Sequence, residues 1–146
     1  MAGITLRQAN AIVAAALGKG RETGCAPLAI AVLDAGGHLT AFAREDGAGI
    51  LRPQIAIGKA WGALGMGMGT RAFARRVVDA PQQQAFFGAL YAASEGRVFP
   101  APGGVLIKDA TGALLGAIGI SGDVSDKDEA CALAGIAAAG LAGDTG

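Results

Sequence analysis

Leu33-Asp34-Ala35-Gly36-Gly37-His38-Leu39 and Lys108-Asp109-Ala110-Thr111-Gly112-Ala113-Leu114 write one pattern at two places in the chain. Asp34 aligns with Asp109, Ala35 with Ala110, Gly37 with Gly112 and Leu39 with Leu114. The residue types have a physical reason: a short Asp carboxylate bonds back to the turn amides, and the closing Gly supplies the positive φ of a type I turn followed by a bulge. Apolar runs flank both turns. Ala29–Leu33 leads into the first and His38–Arg44 leaves it, while Val105–Lys108 leads into the second and Ala113–Ile120 leaves it. Two β-hairpins of matching design follow.

Outside the hairpins the pattern is helical. Thr5-Leu6-Arg7-Gln8 fits a capping box, and Leu6, Ala9, Ile12, Val13, Ala16 and Leu17 repeat at helical spacing before Gly20 or Gly24. Pro53 suits the first turn of a second helix, whose inward stripe is Ile57, Ala60, Trp61 and Leu64 and which Gly65, Gly67 and Gly69 break. Thr70 is expected to cap a short helix through Val78, and Pro81 to start another reaching Ser94. Arg97-Val98-Phe99 reads as a short extra strand. Ser125-Asp126-Lys127-Asp128 opens a last helix with acidic residues where the macrodipole favours them, and Ala130, Ala134, Gly135, Ala138 and Ala139 give it a small-residue face. The order helix, hairpin, helices, strand, hairpin, helix predicts one α+β domain over 1–146, an antiparallel sheet of about five strands with helices packed on it, profilin-like. Strand and helix do not alternate singly, which excludes a parallel Rossmann sheet.

Composition narrows the partners. The 146 residues carry 12 Lys+Arg against 12 Asp+Glu, so the basic footprint that binds nucleic acid is missing. The longest uncharged stretch, Ala80–Ser94, contains Pro81 and three glutamines and does not read as a membrane span. Lys19, Arg21 and Glu22 stand where a signal peptide would be cleaved, so a cytoplasmic protein is expected. With 25 Gly but only 5 Phe, 1 Trp and 1 Tyr, the core must pack small side chains at close backbone approach, and a low-charge surface of this kind favours homo-oligomers. Cys25 and Cys131 form no CxxC and read as buried free thiols.

Leu33–Leu39, Asp46-Gly47-Ala48, Ile57-Gly58-Lys59-Ala60, Pro102-Gly103-Gly104-Val105 and Gly116–Gly122, with Asp128-Glu129-Ala130 beyond, resemble the GlcG/HbpS family, which includes the haem-binding C-terminal domain of PduO-type corrinoid adenosyltransferases. The resemblance covers nearly the whole chain. It implies an antiparallel α+β fold, homo-oligomers commonly larger than dimers, and haem or another tetrapyrrole as the recurring small-molecule ligand. Two blocks depart from the family's pattern: Leu106 stands where a proline is usual, and Gly62–Gly69 is rich in glycine and methionine where many relatives carry alanine and threonine. No single axial histidine carries over from the family.

A haem needs an axial ligand, an apolar slot and cations for its propionates. His38 is the only histidine. With it, the expected ligand-binding residues are Arg52, Lys59, Trp61, Gly103, Gly104 and Ser121; Met66, Met68, Cys25, Cys131 and Tyr91 could ligate iron in principle, but their spacing reads as core. An alternative is a cofactor-free tautomerase, isomerase or lyase acting on a small anionic metabolite. There Arg52 and Lys59, two helical turns apart, would join the amides of Gly103 and Gly104 around a carboxylate, Asp46 or Asp123 would act as base, and Lys59 would hold the oxyanion. Ser121 lacks the GxSxG elbow of a hydrolase, and Gly65-Met66-Gly67-Met68-Gly69 lacks a P-loop lysine. Asp123, Asp126 and Asp128 lack the Gly and Glu of a calcium loop and read as a solvated helix start.

Overall fold

Both turns close as their residue types dictate. Asp34 Oδ1 accepts from the amides of Gly36 and His38, and Asp109 Oδ1 accepts from those of Thr111 and Ala113. Gly37 and Gly112 take φ of +84° and +85°, and each donates its amide to the carbonyl of the opening Asp. The register shifts between Val32 and Leu33 and again between Ile107 and Lys108, one bulge per hairpin.

The computed structural model describes residues 3–146. In chain order the elements are α1 (Leu6–Glu22), β1 (Ala29–Asp34), β2 (Leu39–Arg44), α2 (Arg52–Met66), α3 (Thr70–Asp79), a single 3₁₀ turn (Pro81–Gln83), α4 (Gln84–Ala93), β3 (Gly104–Lys108), β4 (Leu114–Ser121), α5 (Ser125–Ala138) and β5 (Ala142–Asp144). The strands form one antiparallel sheet in the order β2-β1-β4-β3-β5, so the two hairpins share a layer and meet at β1 and β4. The α+β class and the five strands agree with the sequence reading.

Period-two alternation assigns the two faces of the sheet. Ile30, Val32, Val105, Ile107, Ile118 and Ile120 point to one side and form the main core with Ile12, Ala16, Ala132 and Ile136 of α1 and α5. The opposite side presents Ala29, Ala31, Leu33, Leu106 and Ala117 to α2. Side chains there are small because α2 lies almost on the backbone of β4: a Cβ at Gly119 would collide with the carbonyl oxygen of Ala56 and come within 2.7 Å of the Ala60 nitrogen. The abundance of Ala and Gly thus has its cause in this close approach.

Three expected features are corrected. Arg97-Val98-Phe99 is not a strand; the Arg97 amide donates to Ser94 O in a turn, and Val98 is buried against Phe73 and Phe87 instead of pairing at a sheet edge. The fifth strand is β5, which Gly140, at φ +73°, turns back along β3. Thr70 is not a helix cap. Gly69 takes that position, and the Thr70 hydroxyl, fully buried, accepts from Gly104 N at 2.8 Å and is 3.3 Å from Gly104 O. On α5, Gly135 is consumed inside the chain against Ile12 and Ala16, whereas Ala130 and Ala138 stay exposed. No helix among the described residues is long and apolar enough to cross a membrane.

Candidate functional site

Apart from Asp46, the site residues singled out in the sequence separate into two groups on opposite sides of α2. Lys59 and Trp61 are two residues apart on that helix, roughly 200° around its axis. Lys59 faces β4 and α5, and Trp61 faces the hairpin turn after β1.

On the first side, Lys59 and Asp128 are 3% and 1% exposed and their charged atoms are 3.2 Å apart. Lys59 Nζ also donates to Ile120 O at 2.9 Å, and Asp128 Oδ1 accepts from the Asp123 amide at 3.0 Å. Burial lowers Lys59 from the usual lysine value and raises Asp128 from the usual carboxylate value, and the attraction between them opposes both shifts. Nearby, Arg52 Nη1 donates to Ser121 Oγ at 3.1 Å. Asp128 is therefore no solvated helix start; it is the counter-charge of Lys59. Asp126 does lie exposed, paired with Arg71, which also holds Glu129 at 3.0 Å.

The residues of the enzymatic expectation lie in three surroundings. The Lys59 ammonium is already engaged, and the Gly104 amide is bonded to Thr70, so they do not frame a carboxylate pocket with Gly103. Asp123 accepts from the amides of Ala26 and Val124, which hold its carboxyl below the usual range. Asp46 is exposed and lines a separate groove with Arg21, Pro27, Arg44 and Glu45.

On the second side, half-buried Trp61 is the wall between two adjoining clefts of about 180 Å³ each. One is lined by Gly62, Met66, Leu90 and Val98, the other by Ala35, Gly36, Gly37 and Leu64, with Gly65 common to both. The exposed Arg97 guanidinium stacks 4.2 Å from the centre of the Trp61 ring. His38 follows the turn that lines the second cleft: its ring crosses Gly36, where a Cβ would come 2.9 Å from Cε1, and its Nδ1 is 3.0 Å from Asp34 Oδ1. Amide donation from His38 is the largest influence keeping the Asp34 carboxyl below its usual value.

Met66, Met68 and Tyr91 pack on the apolar cluster around Phe73 and Phe87, and Cys25 and Cys131 are buried under α1 and α5, as their spacing suggests. Asp34, Arg97, Thr70 and Asp128 went unrecognised as site residues. Asp128 carried a signal, because it shares its helical phase with buried Cys131, Ala132 and Gly135. A carboxylate in an apolar phase needs a buried cation, and Lys59 sits among apolar neighbours.

Comparison with known proteins agrees with the architecture. No curated protein sequence matches the chain. Among solved structures it is similar to a PduOC:haem complex (25% identity, TM-score 0.82, covering 95% of this chain and 96% of that one). It is also similar to the Klebsiella pneumoniae protein ORFY (26%, TM-score 0.84, 96% and 92%) and to HbpS of Streptomyces reticuli in a double-mutant form (28%, TM-score 0.77, 94% and 87%). A family model described as haem degrading protein HbpS-like matches residues 4–137, and the chain accordingly belongs to that HbpS-like family.

Proposed function

We propose that this protein is a cytoplasmic, oligomeric haem- or tetrapyrrole-binding protein whose ligand lies against Trp61 with His38 as axial ligand. The observation that carries the reading is the Asp34–His38 pair, which brackets the turn residues Ala35, Gly36 and Gly37 that line one Trp61 cleft. An Nδ1–H donated to a carboxylate fixes the imidazole tautomer, leaves Nε2 as the basic nitrogen, and is the usual support of a metal-ligating histidine. Apolar Trp61, Leu64 and Val98 suit the flat face of a macrocycle, and Arg97 supplies a cation for a propionate. Bound haem would supply redox and oxygen chemistry at iron; the chain's part is to ligate, orient and partly cover it. The haem-complexed relative supports the same ligand class.

Each cleft is smaller than the roughly 300–1,000 Å³ that encloses a small-molecule ligand. One chain therefore offers a wall, and a second copy is proposed to cover the rest. Arg52, Lys59, Gly103, Gly104 and Ser121 lie across α2 and in this reading support the fold.

Titration with haemin tests the proposal. A shifted Soret band saturating at one haem per chain is expected, and His38→Ala should abolish the shift while leaving the far-ultraviolet dichroism intact. Weak, non-stoichiometric uptake by the wild type would refute haem binding; an unchanged spectrum in His38→Ala would refute the axial assignment. A monomeric mass by light scattering at micromolar concentration would refute the oligomer.

A further inference from the structure

Cys25 and Cys131 are separated by 106 positions in sequence, yet their sulfurs stand 3.9 Å apart, both buried. The fold brings them together. Cys25 follows α1, where its amide donates to Gly20 O, and Cys131 projects from the buried face of α5, the helix packed against α1. The segment carrying Cys25 is held at several points: Arg21 Nη2 donates to the carbonyls of Cys25 and Ala26, the Ala26 amide donates to Asp123, and the Leu28 amide donates to Glu45. The sulfurs face each other close to contact, and a bond requires them to close from 3.9 Å to about 2.05 Å.

We propose that Cys25 and Cys131 are an oxidative modification site, a buried dithiol that a peroxide converts to an intramolecular disulfide pinning the end of α1 to α5. Hydrogen peroxide is the smallest oxidant of this class and suits a pair so enclosed. The Cys25 sulfur attacks one peroxide oxygen; the S–O bond forms, the O–O bond breaks, and the departing hydroxide takes the thiol proton as water. Cys131 sulfur then attacks the Cys25 sulfenic sulfur; the S–S bond forms, the S–O bond breaks, and the released hydroxide takes the Cys131 proton as a second water. Two electrons pass from the sulfurs to the peroxide, which is the only oxidant required.

The pair is slow to react and, once closed, stable. Burial and the neighbouring Cys25 push the Cys131 thiol up to about 12, so it is no ready nucleophile until a sulfenic sulfur lies against it. A bond across so long a loop restricts the unfolded chain strongly, and the unfolding midpoint should rise by about 5–10 °C.

The test uses the full chain, reduced, desalted and exposed to excess hydrogen peroxide, then unfolded in guanidinium with iodoacetamide. Expected are an intact mass lowered by two hydrogens, no alkylation at either cysteine, a peptide joining Cys25 to Cys131, and reversal by dithiothreitol. The midpoint should rise in the wild type and stay unchanged in Cys131→Ser, where dimedone should trap a Cys25 sulfenic acid. Wild-type protein that keeps both thiols alkylatable while its methionines oxidise, that gains oxygen at either cysteine, or that links between chains would overturn the proposal. Those readouts come from the wild type and stand whether or not the variant folds.

Discussion

Removing Lys59 alone should harm the fold more than removing it together with its partner. At 3.2 Å, and with an effective dielectric constant of about 20, the Lys59–Asp128 attraction amounts to about 5 kcal/mol. Against it stands desolvation of several kcal/mol for each ion, and the lowered Lys59 and raised Asp128 show that burial is the larger influence. The intact pair therefore contributes little net stability, whereas a lone survivor is a buried charge with nothing opposite it. Lys59→Met and Asp128→Asn should each cost about 3–5 kcal/mol. In the double variant the amide oxygen that Asp128→Asn leaves in place can still accept from the Asp123 amide, while Ile120 O loses its donor and the new amide NH2 faces Met, so the cost should be about 1–3 kcal/mol. Urea unfolding of the four proteins at one fixed concentration, followed by the fluorescence of the single tryptophan, Trp61, gives the cycle. Single-variant costs that add to the double within about 0.5 kcal/mol would refute the coupling. The pair also sets a pH signature. Because Asp128 is raised above 3.8 in the folded state, the fold gains stability as pH falls into that window, and because Lys59 is lowered below 10.5, it gains stability as pH rises through its own. The double variant should lose both slopes.

Thr70→Val keeps the shape of a buried side chain but removes both contacts to Gly104, and should cost about 1–3 kcal/mol by thermal unfolding. Gly119→Ala drives a methyl group into the backbone of α2 and should cost about 3 kcal/mol or more, read as lost soluble yield or a lowered urea midpoint. Asp144 is held below 3.8 chiefly by its bond from Lys108, so the stability it lends is present above that pH and lost as acid protonates it. Hydrogen exchange on β5 should accelerate in that acid window, and Lys108→Met should remove the change. Arg97→Ala uncovers the Trp61 ring and should shift its emission to the red at a cost of about 0.5–1 kcal/mol.

Local chemistry determined the hairpins from sequence alone. An Asp that can reach its own turn amides and a Gly free to take positive φ specify a turn whatever surrounds it, so Asp34–Gly37 and Asp109–Gly112 were legible. The same holds for α1 with its capping box, and for the alternation of Ile118 and Ile120 with Ala117 and Gly119 that faces β4 both ways. Tertiary structure decided the rest, because those contacts depend on register between elements distant in the chain. Ala142-Gly143-Asp144 has no intrinsic preference for a strand and becomes one only where β3 offers an open edge. Thr70 reads locally as a cap, but its hydroxyl satisfies a buried strand end instead. Lys59 reads by itself as a cation for a ligand or an oxyanion and Asp128 as a solvated helix-start carboxylate; only packing α2 and α5 on opposite faces of β4 brings the two charges to 3.2 Å, out of reach of water.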